Sequence, residues 1–279
     1  MELHGNLPAR AVLLRPPIRP GIAVAPRELR AGFPVAPCES CSVRRLCLPG
    51  GLGDRSRPLL DTLLIGRRRL RKGQKLYRAG EPFRFLYAVR VGTFKAGLPL
   101  GNGDEHVSAF HLPGDIMGFD GMAEGTHRTS ATALEAAEAC AIPYAQLMDA
   151  CAGAADLRTR LAQLMGTQLV REYQTTQLVA RHLSEARVAG FLLLVSGWMR
   201  ERGYSGREFH LRMSRAEIGS YLGTSLESVS RALSLFARRG FIRVHNRRIE
   251  LLDDRGLKAF DACDPGHARA ADAAPLAAA

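Results

Sequence analysis

A chain of 279 residues is long enough for two modest domains with separate cores, and 46% hydrophobic with 24% charged residues describes a folded globular protein rather than a disordered or fibrous one. No run approaches the roughly 20 apolar residues that cross a bilayer, and Met1 to Arg30 lacks the apolar core of a secretory signal, so no membrane partner and a cytoplasmic location are expected. Lys and Arg number 39 against 27 Asp and Glu, a formal charge of +12 that favours a polyanionic partner.

Residues 1–37 are rich in Pro, Arg and Ala without periodicity and read as a mobile arm; residues 263–279 read as a similar tail. Directly after the arm, Cys38, Cys41 and Cys47 spell C-x2-C-x5-C, so three thiolates can converge on one metal centre from a single loop. In a reducing compartment such clustering points to metal or redox chemistry rather than to disulfides. A fourth ligand must come from Cys140, Cys151 or Cys263. Cys263 falls in the tail, and spacing does not choose between the other two, either of which taken singly reads as a small buried hydrophobe.

From Leu59 to about Tyr144, short apolar runs are broken by glycine every ten or so residues, the pattern of an all-β barrel or jelly roll. Gly101-Asn102-Gly103-Asp104 predicts a hairpin before a strand from Val107 to Leu112. The spacing then changes. Leu157, Leu161, Leu164, Leu169, Tyr173, Leu178 and Leu183 recur at helical intervals and predict one long helix, suited to pairing with a copy of itself, and a further helix is predicted over 185–201.

Ser214-Arg215-Ala216-Glu217 is a capping box opening a helix to Leu222, with Gly223 as the turn. A second helix follows from about Ser225 to Arg239, its buried stripe being Leu226, Val229, Leu233 and Phe236, with Gly240 as its cap. Its opposite face carries Glu227, Ser230 and Arg231. Arg can grip guanine O6 and N7, Glu can accept from the cytosine amine, and Ser serves either edge, so this face suits base readout in a major groove. Residues 241–251 alternate about Asn246 as a basic wing, whose arginines, Arg247 at the tip among them, would touch phosphates along with Arg215. Between Arg212 and Arg248 there are eight Arg and two Glu, a net +6 that places half the excess charge here.

Together these residues resemble the FNR family, the fumarate and nitrate reduction regulators within the cyclic AMP receptor protein superfamily, over roughly residues 36–262. The resemblance is carried by the cysteine spacing, by Lys72-Gly73-Gln74, Tyr87 to Thr93 and His111 to Asp120, and by Glu227-x-x-Ser230-Arg231. It implies an α+β fold: an N-terminal β-roll like that of cyclic-nucleotide-binding domains, a long dimerisation helix and a C-terminal winged helix-turn-helix. The corresponding divisions are 1–37 (arm), 38–155 (sensor), 156–184 (dimerisation helix), 185–262 (DNA-binding) and 263–279 (tail). It implies a [4Fe–4S] cluster on Cys38, Cys41, Cys47 and Cys140, the last because Cys140-Ala141-Ile142-Pro143-Tyr144 matches the segment that holds the family's fourth ligand. It also implies a homodimer that binds double-stranded DNA at an inverted repeat of the TTGAT…ATCAA type, regulates anaerobic genes in concert with RNA polymerase, and is not an enzyme.

One departure concerns the long helix, where the family's mid-helix acidic residue aligns with Gln174. Loss of that repulsion would loosen oxygen control. The closest rival is a cyclic-nucleotide-responsive regulator of the same superfamily, for which Gly114-Asp115 and Arg128-Thr129-Ser130 would be the phosphate and ribose contacts. A zinc-stabilised DNA-binding protein is a third reading. A zinc hydrolase is disfavoured, because four thiolates leave no open coordination position.

Overall fold

Short alternating runs close into two antiparallel sheets in the computed structural model, which describes residues 38–262 apart from 64 and 102. The expected arm, the tail and Cys263 lie outside those residues. Strands β1 (Gly66–Leu70), β8 (Ala137–Pro143), β3 (Phe85–Val91) and β6 (Ile116–Met117) form one sheet in that order. Strands β2 (Lys75–Tyr77), β7 (Ser130–Ala133), β4 (Phe94–Pro99) and β5 (Glu105–His111) form the other. Inward-facing Tyr77, Val89, Phe94, Met117, Ala131 and Ala139 fill the space between them. The Leu100 amide bonds the Asp104 carbonyl at 2.8 Å, so the predicted hairpin joins β4 to β5, two residues earlier than expected.

Helix α1 (Arg57–Thr62) precedes the roll and α2 (Tyr144–Gly153) follows it. Neither is expected from the sequence, because each is too short to display a helical period. The long helix, α3 (Ala155–Val179), stops four residues before the expected end, and α4 (Ser184–Glu201) begins after a break. The reason for the break is local: the Arg181 carbonyl accepts from Arg187 Nε at 2.8 Å, and the Arg181 guanidinium bonds the Ala186 carbonyl, so this backbone serves a corner rather than a helix.

The C-terminal part contains α5 (Arg215–Leu222), α6 (Leu226–Arg238) and α7 (Asp254–Ala262), with a three-stranded sheet ordered β10 (Ile242–His245), β11 (Arg248–Leu251), β9 (Glu208–His210). It does not stand apart from the roll. Val107, Phe110, Leu112 and Leu134 share one apolar core with Phe191, Trp198 and Tyr221. Across the same seam the Val107 amide donates to Ser220 Oγ at 2.9 Å, and Lys95 pairs with Glu217 at 3.0 Å. Among the described residues no helix is long and apolar enough to cross a membrane.

Three elements meet at Asp115. One carboxylate oxygen accepts from Arg171 of α3 and from Arg202 after α4, both at 2.6 Å, and the other takes the Leu112 amide at 2.8 Å. Arg202 also donates to the carbonyls of Pro113 (3.0 Å) and Trp198 (2.8 Å), and its side chain is only 3% exposed. Removing one member of such a group leaves buried charge uncompensated. Asp115→Ala is therefore expected to cost about 3–5 kcal/mol of stability, read as a lowered denaturant midpoint, whereas a neutral result would show that the two arginines find other partners.

Candidate functional site

The cysteine segment runs as consecutive turns: Cys41 N to Cys38 O, Arg44 N to Cys41 O and Cys47 N to Val43 O, each 3.2 Å, then Gly50 N to Cys47 O at 3.0 Å. Buried Leu48 and Leu52 pin it to a core with Leu60, Leu147 and Leu157. Cys140 stands in β8 between Arg67 of β1 and Ala88 of β3. Cys38, Cys41, Cys47 and Cys140 line one cavity, together with Arg44, Arg67 and Arg90. Cys151 does not line that cavity; it is buried among Leu147, Leu157 and Leu161, as a small hydrophobe would be.

Burial pushes the Cys47 thiol up to about 12 and the Cys140 thiol up to about 11, and the neighbouring cysteines add to both shifts. Without a positive centre these thiols therefore keep their protons at neutral pH. The Arg90 guanidinium, beside Glu138 at 2.9 Å, also interacts with Cys41. Among the described residues no three His, Cys, Asp or Glu side chains converge closely enough to hold a single metal ion. A cubane is a less demanding case, since each thiolate meets a different iron. An all-thiol set walled by three arginines fits an anionic thiolate-ligated cluster.

The DNA-facing elements form as expected. Ser214 Oγ accepts from the Glu217 amide at 3.2 Å while Glu217 accepts from the Ser214 amide at 2.7 Å, completing the capping box. Gly223, at φ +61°, takes the left-handed turn, and Ser225 caps α6 through the Ser228 amide at 3.1 Å. The buried face of α6 is Val229, Ala232, Leu233 and Phe236. Leu226, expected on that stripe, is 45% exposed, because it sits in the first turn before the helix reaches the core.

Glu227 and Arg231 are exposed and Ser230 is half-buried on the outer face. Two of them are already tethered: Arg215 donates to Ser230 Oγ and Arg231 to Ser228 Oγ, both at 3.1 Å. Asn246 adopts φ 55° at the tip between β10 and β11. Arg247 beside it donates to the Arg212 carbonyl at 3.0 Å, while Arg243 is paired with Glu250 and Arg248 with Glu208.

A third feature is a cavity of ≈ 490 Å³ between the roll and α3, lined by His111, Asp120, Thr129, Met165, Leu169 and Glu172 among others. It is poorly suited to a phosphate. Burial pushes His111 down to about 4, so it is neutral at physiological pH. Asp120 is held below the usual carboxylate range, because bonds from His127 and Thr129 outweigh its burial. No Lys or Arg is among the residues lining the cavity. Of the residues considered for nucleotide contact, Asp115 is engaged in the arginine pair described above and exposed Arg128 with Glu124, while Thr129 lines the cavity but bonds Asp120. Cyclic AMP is therefore expected to leave the melting temperature unchanged; a dose-dependent rise would reinstate a nucleotide site.

On α3, Met165 (39% exposed), Leu169 (52%), Val170 (54%) and Tyr173 (59%) form an exposed apolar stripe, of which Met165 and Leu169 also edge that cavity. At 3.6 residues per turn Glu172 falls roughly 20° from Met165 at one edge of the stripe, and Gln174 roughly 40° from Val170 at the other. Partial burial raises the Glu172 carboxyl, against a bond from Gln168 at 2.8 Å. The acidic residue bordering the stripe is therefore Glu172. An acidic residue thus remains at the border of the stripe, across it from the Gln174 that the sequence reading singled out. Sequence reasoning also missed Arg160 and Asp156, which bind the cysteine loop. A charged pair one turn apart on a helix carries no motif, and only the fold reveals what it faces.

A family model for the Crp-like helix-turn-helix domain matches residues 186–260, and one for the cyclic nucleotide-binding domain matches residues 67–153. The chain is 40% identical to the transcriptional regulatory protein btr of Bordetella pertussis, over 80% of this chain and 92% of that protein. It is 34% identical to the fumarate and nitrate reduction regulatory protein of Escherichia coli K12, over 83% and 92% respectively. Among solved structures, FixK2 from Bradyrhizobium japonicum superposes with a TM-score of 0.64 at 30% identity, covering 71% of this chain and 98% of that one. With an N-terminal roll, a long helix and a helix-turn-helix matched in sequence and in structure, the chain belongs to the CRP/FNR family of DNA-binding transcription regulators and is not an enzyme.

Proposed function

We propose that this protein is an oxygen-responsive regulator of anaerobic gene expression that works in the cytoplasm. In this reading a homodimer, paired through the α3 stripe, binds an inverted repeat of the TTGAT…ATCAA type and engages RNA polymerase. The observation that carries the sensing half is the meeting of Cys38, Cys41, Cys47 and Cys140, from a loop and a distant strand, on one cavity beside three arginines. These four would hold a [4Fe–4S] cluster, which when bound supplies an oxygen-labile inorganic core. Arg44, Arg67 and Arg90 would offset the negative charge of four thiolates. Three ligands on the loop and one on β8 mean that filling the site ties the loop to the roll, and emptying it frees the loop. The 34% identity to fumarate and nitrate reduction regulatory proteins over most of both chains supports the same sensing role.

Pairing needs two copies of Met165, Leu169 and Tyr173 to leave water together, with Glu172 at the border as a counterweight. A balance poised in this way is moved decisively by a few kcal/mol. On DNA, Glu227, Ser230 and Arg231 read base edges, while Arg215 and Arg247 position the reader on phosphates. The division into an arm (1–37), a sensor (38–155), a dimerisation helix (156–184), a DNA-binding part (185–262) and a tail (263–279) belongs to the same proposal.

Protein prepared under argon is expected to absorb visible light and to contain iron and sulfide in equal amounts, and Cys140→Ala is expected to lose both. Colourless protein containing zinc would replace the cluster with a structural metal. On operator DNA, Arg231→Ala is expected to cost about 1–3 kcal/mol with loss of discrimination at one base pair. Arg247→Ala should weaken all sequences alike and reduce the salt slope by about 1. Equal effects of the two on specific and random DNA, measured by titration, would refute the division of labour.

A further inference from the structure

The cysteine loop is fastened to the start of α3 by two side chains one helical turn apart. Arg160 donates to the Cys47 carbonyl from Nε (3.1 Å) and Nη2 (3.0 Å), and from Nη2 also to the carbonyls of Leu46 (2.9 Å) and Arg45 (3.3 Å). Asp156 accepts from the Gly53 amide at 3.1 Å and from the Ser56 hydroxyl. The fit is close at Gly50, where an added methyl group would lie 2.9 Å from Arg160 Nη2 and 2.1 Å from the Arg45 carbonyl oxygen.

We propose that Arg160 and Asp156 form a latch by which the path of the cysteine loop sets the first turns of α3, and through them the pairing of the stripe. The inference rests on the cluster reading above and names its route to the dimer. The loop has no strand or helix of its own before α1, so its path depends on what holds it. A planar guanidinium fork can meet three successive carbonyls only when the loop is turned in one way. If the loop shifts, Arg160 loses all three acceptors together, and Asp156 loses the Gly53 amide from the same element. The stripe begins at Met165, little more than one turn beyond Arg160, so a change in the first turns of α3 reaches it without passing through the roll. All of the Arg160 bonds run to backbone atoms, so the fork reads the loop's shape rather than its side chains.

Arg160→Met keeps the aliphatic length and removes the fork. Wild-type and variant protein, prepared under argon, are compared by iron and sulfide counts and by sedimentation with and without the cluster. The variant is expected to keep its iron. Its ratio of dimer dissociation constants between the two states should shrink from a coupling of the usual size, about 5–150-fold, to less than about threefold. Arg160→Lys, able to reach only part of the carbonyl set, should restore part of the ratio, and Asp156→Ala should reduce it part way. Hydrogen exchange in residues 155–165 should respond to cluster loss in the wild type and not in Arg160→Met. An undiminished ratio in Arg160→Met overturns the latch. So does loss of iron in that variant with a full ratio in Asp156→Ala, because Arg160 would then build the loop rather than transmit its state. Absence of iron from the wild type would instead overturn the cluster reading, and the latch with it, from the unmodified protein alone.

Discussion

A single carboxylate, Asp115, determines how the parts of this molecule stand relative to one another. It sits at the end of the Leu112-Pro113-Gly114 turn of the roll, and it receives one arginine from the long helix and another from the end of α4. Two buried cations converge on one anion, and the arrangement is tolerable only because each guanidinium also donates to further groups: Glu201 for Arg171, and the Pro113 and Trp198 carbonyls for Arg202. The apolar seam around Phe110, Phe191 and Tyr221 adds area to this junction, and the ion group gives it register. The cysteine loop lies outside this junction and is held instead by Leu48, Leu52, Arg160 and Asp156, while the stripe on α3 stands exposed.

That division explains how the two functional regions differ in kind. The helix-turn-helix part is built from a capping box, a glycine turn and a hairpin, each stabilised within a few residues, and Ser230 and Arg231 on its outer face bond neighbours Arg215 and Ser228. The cysteine region is the reverse. Its thiols come from positions nearly a hundred residues apart, its loop is irregular, and its cohesion comes from two leucines and from side chains of another element. A region held together in this way can reorganise without unfolding the rest.

The same contrast governs what could be read from the sequence. The reader was legible almost to the residue because its signals are local: Ser214 and Glu217 three apart, Gly223 after Leu222, Asn246 between alternating runs. The exception, Leu226, shows that spacing assigns a face but not the point at which a helix reaches the core. The roll was legible as a type of sheet but not in its strand order, which depends on pairings between distant segments. Helices α1 and α2 were too short to show a period. Cys140 could be chosen over Cys151 only by resemblance, since nothing in either flank indicates that one lines a cavity while the other packs against Leu147. Asp115 misled for the same reason. Its neighbours fit a ligand-binding signature, whereas its true partners lie 56 and 87 residues away.

The uncovered stripe on α3 has a consequence for the cell as well as for the operator. Four large apolar side chains on one helical face, three of them more than half exposed, make a lone copy a poor resident of a crowded solution. Such a copy will associate with whatever apolar surface it meets. The fate of a single copy is thereby bound up with what covers this face.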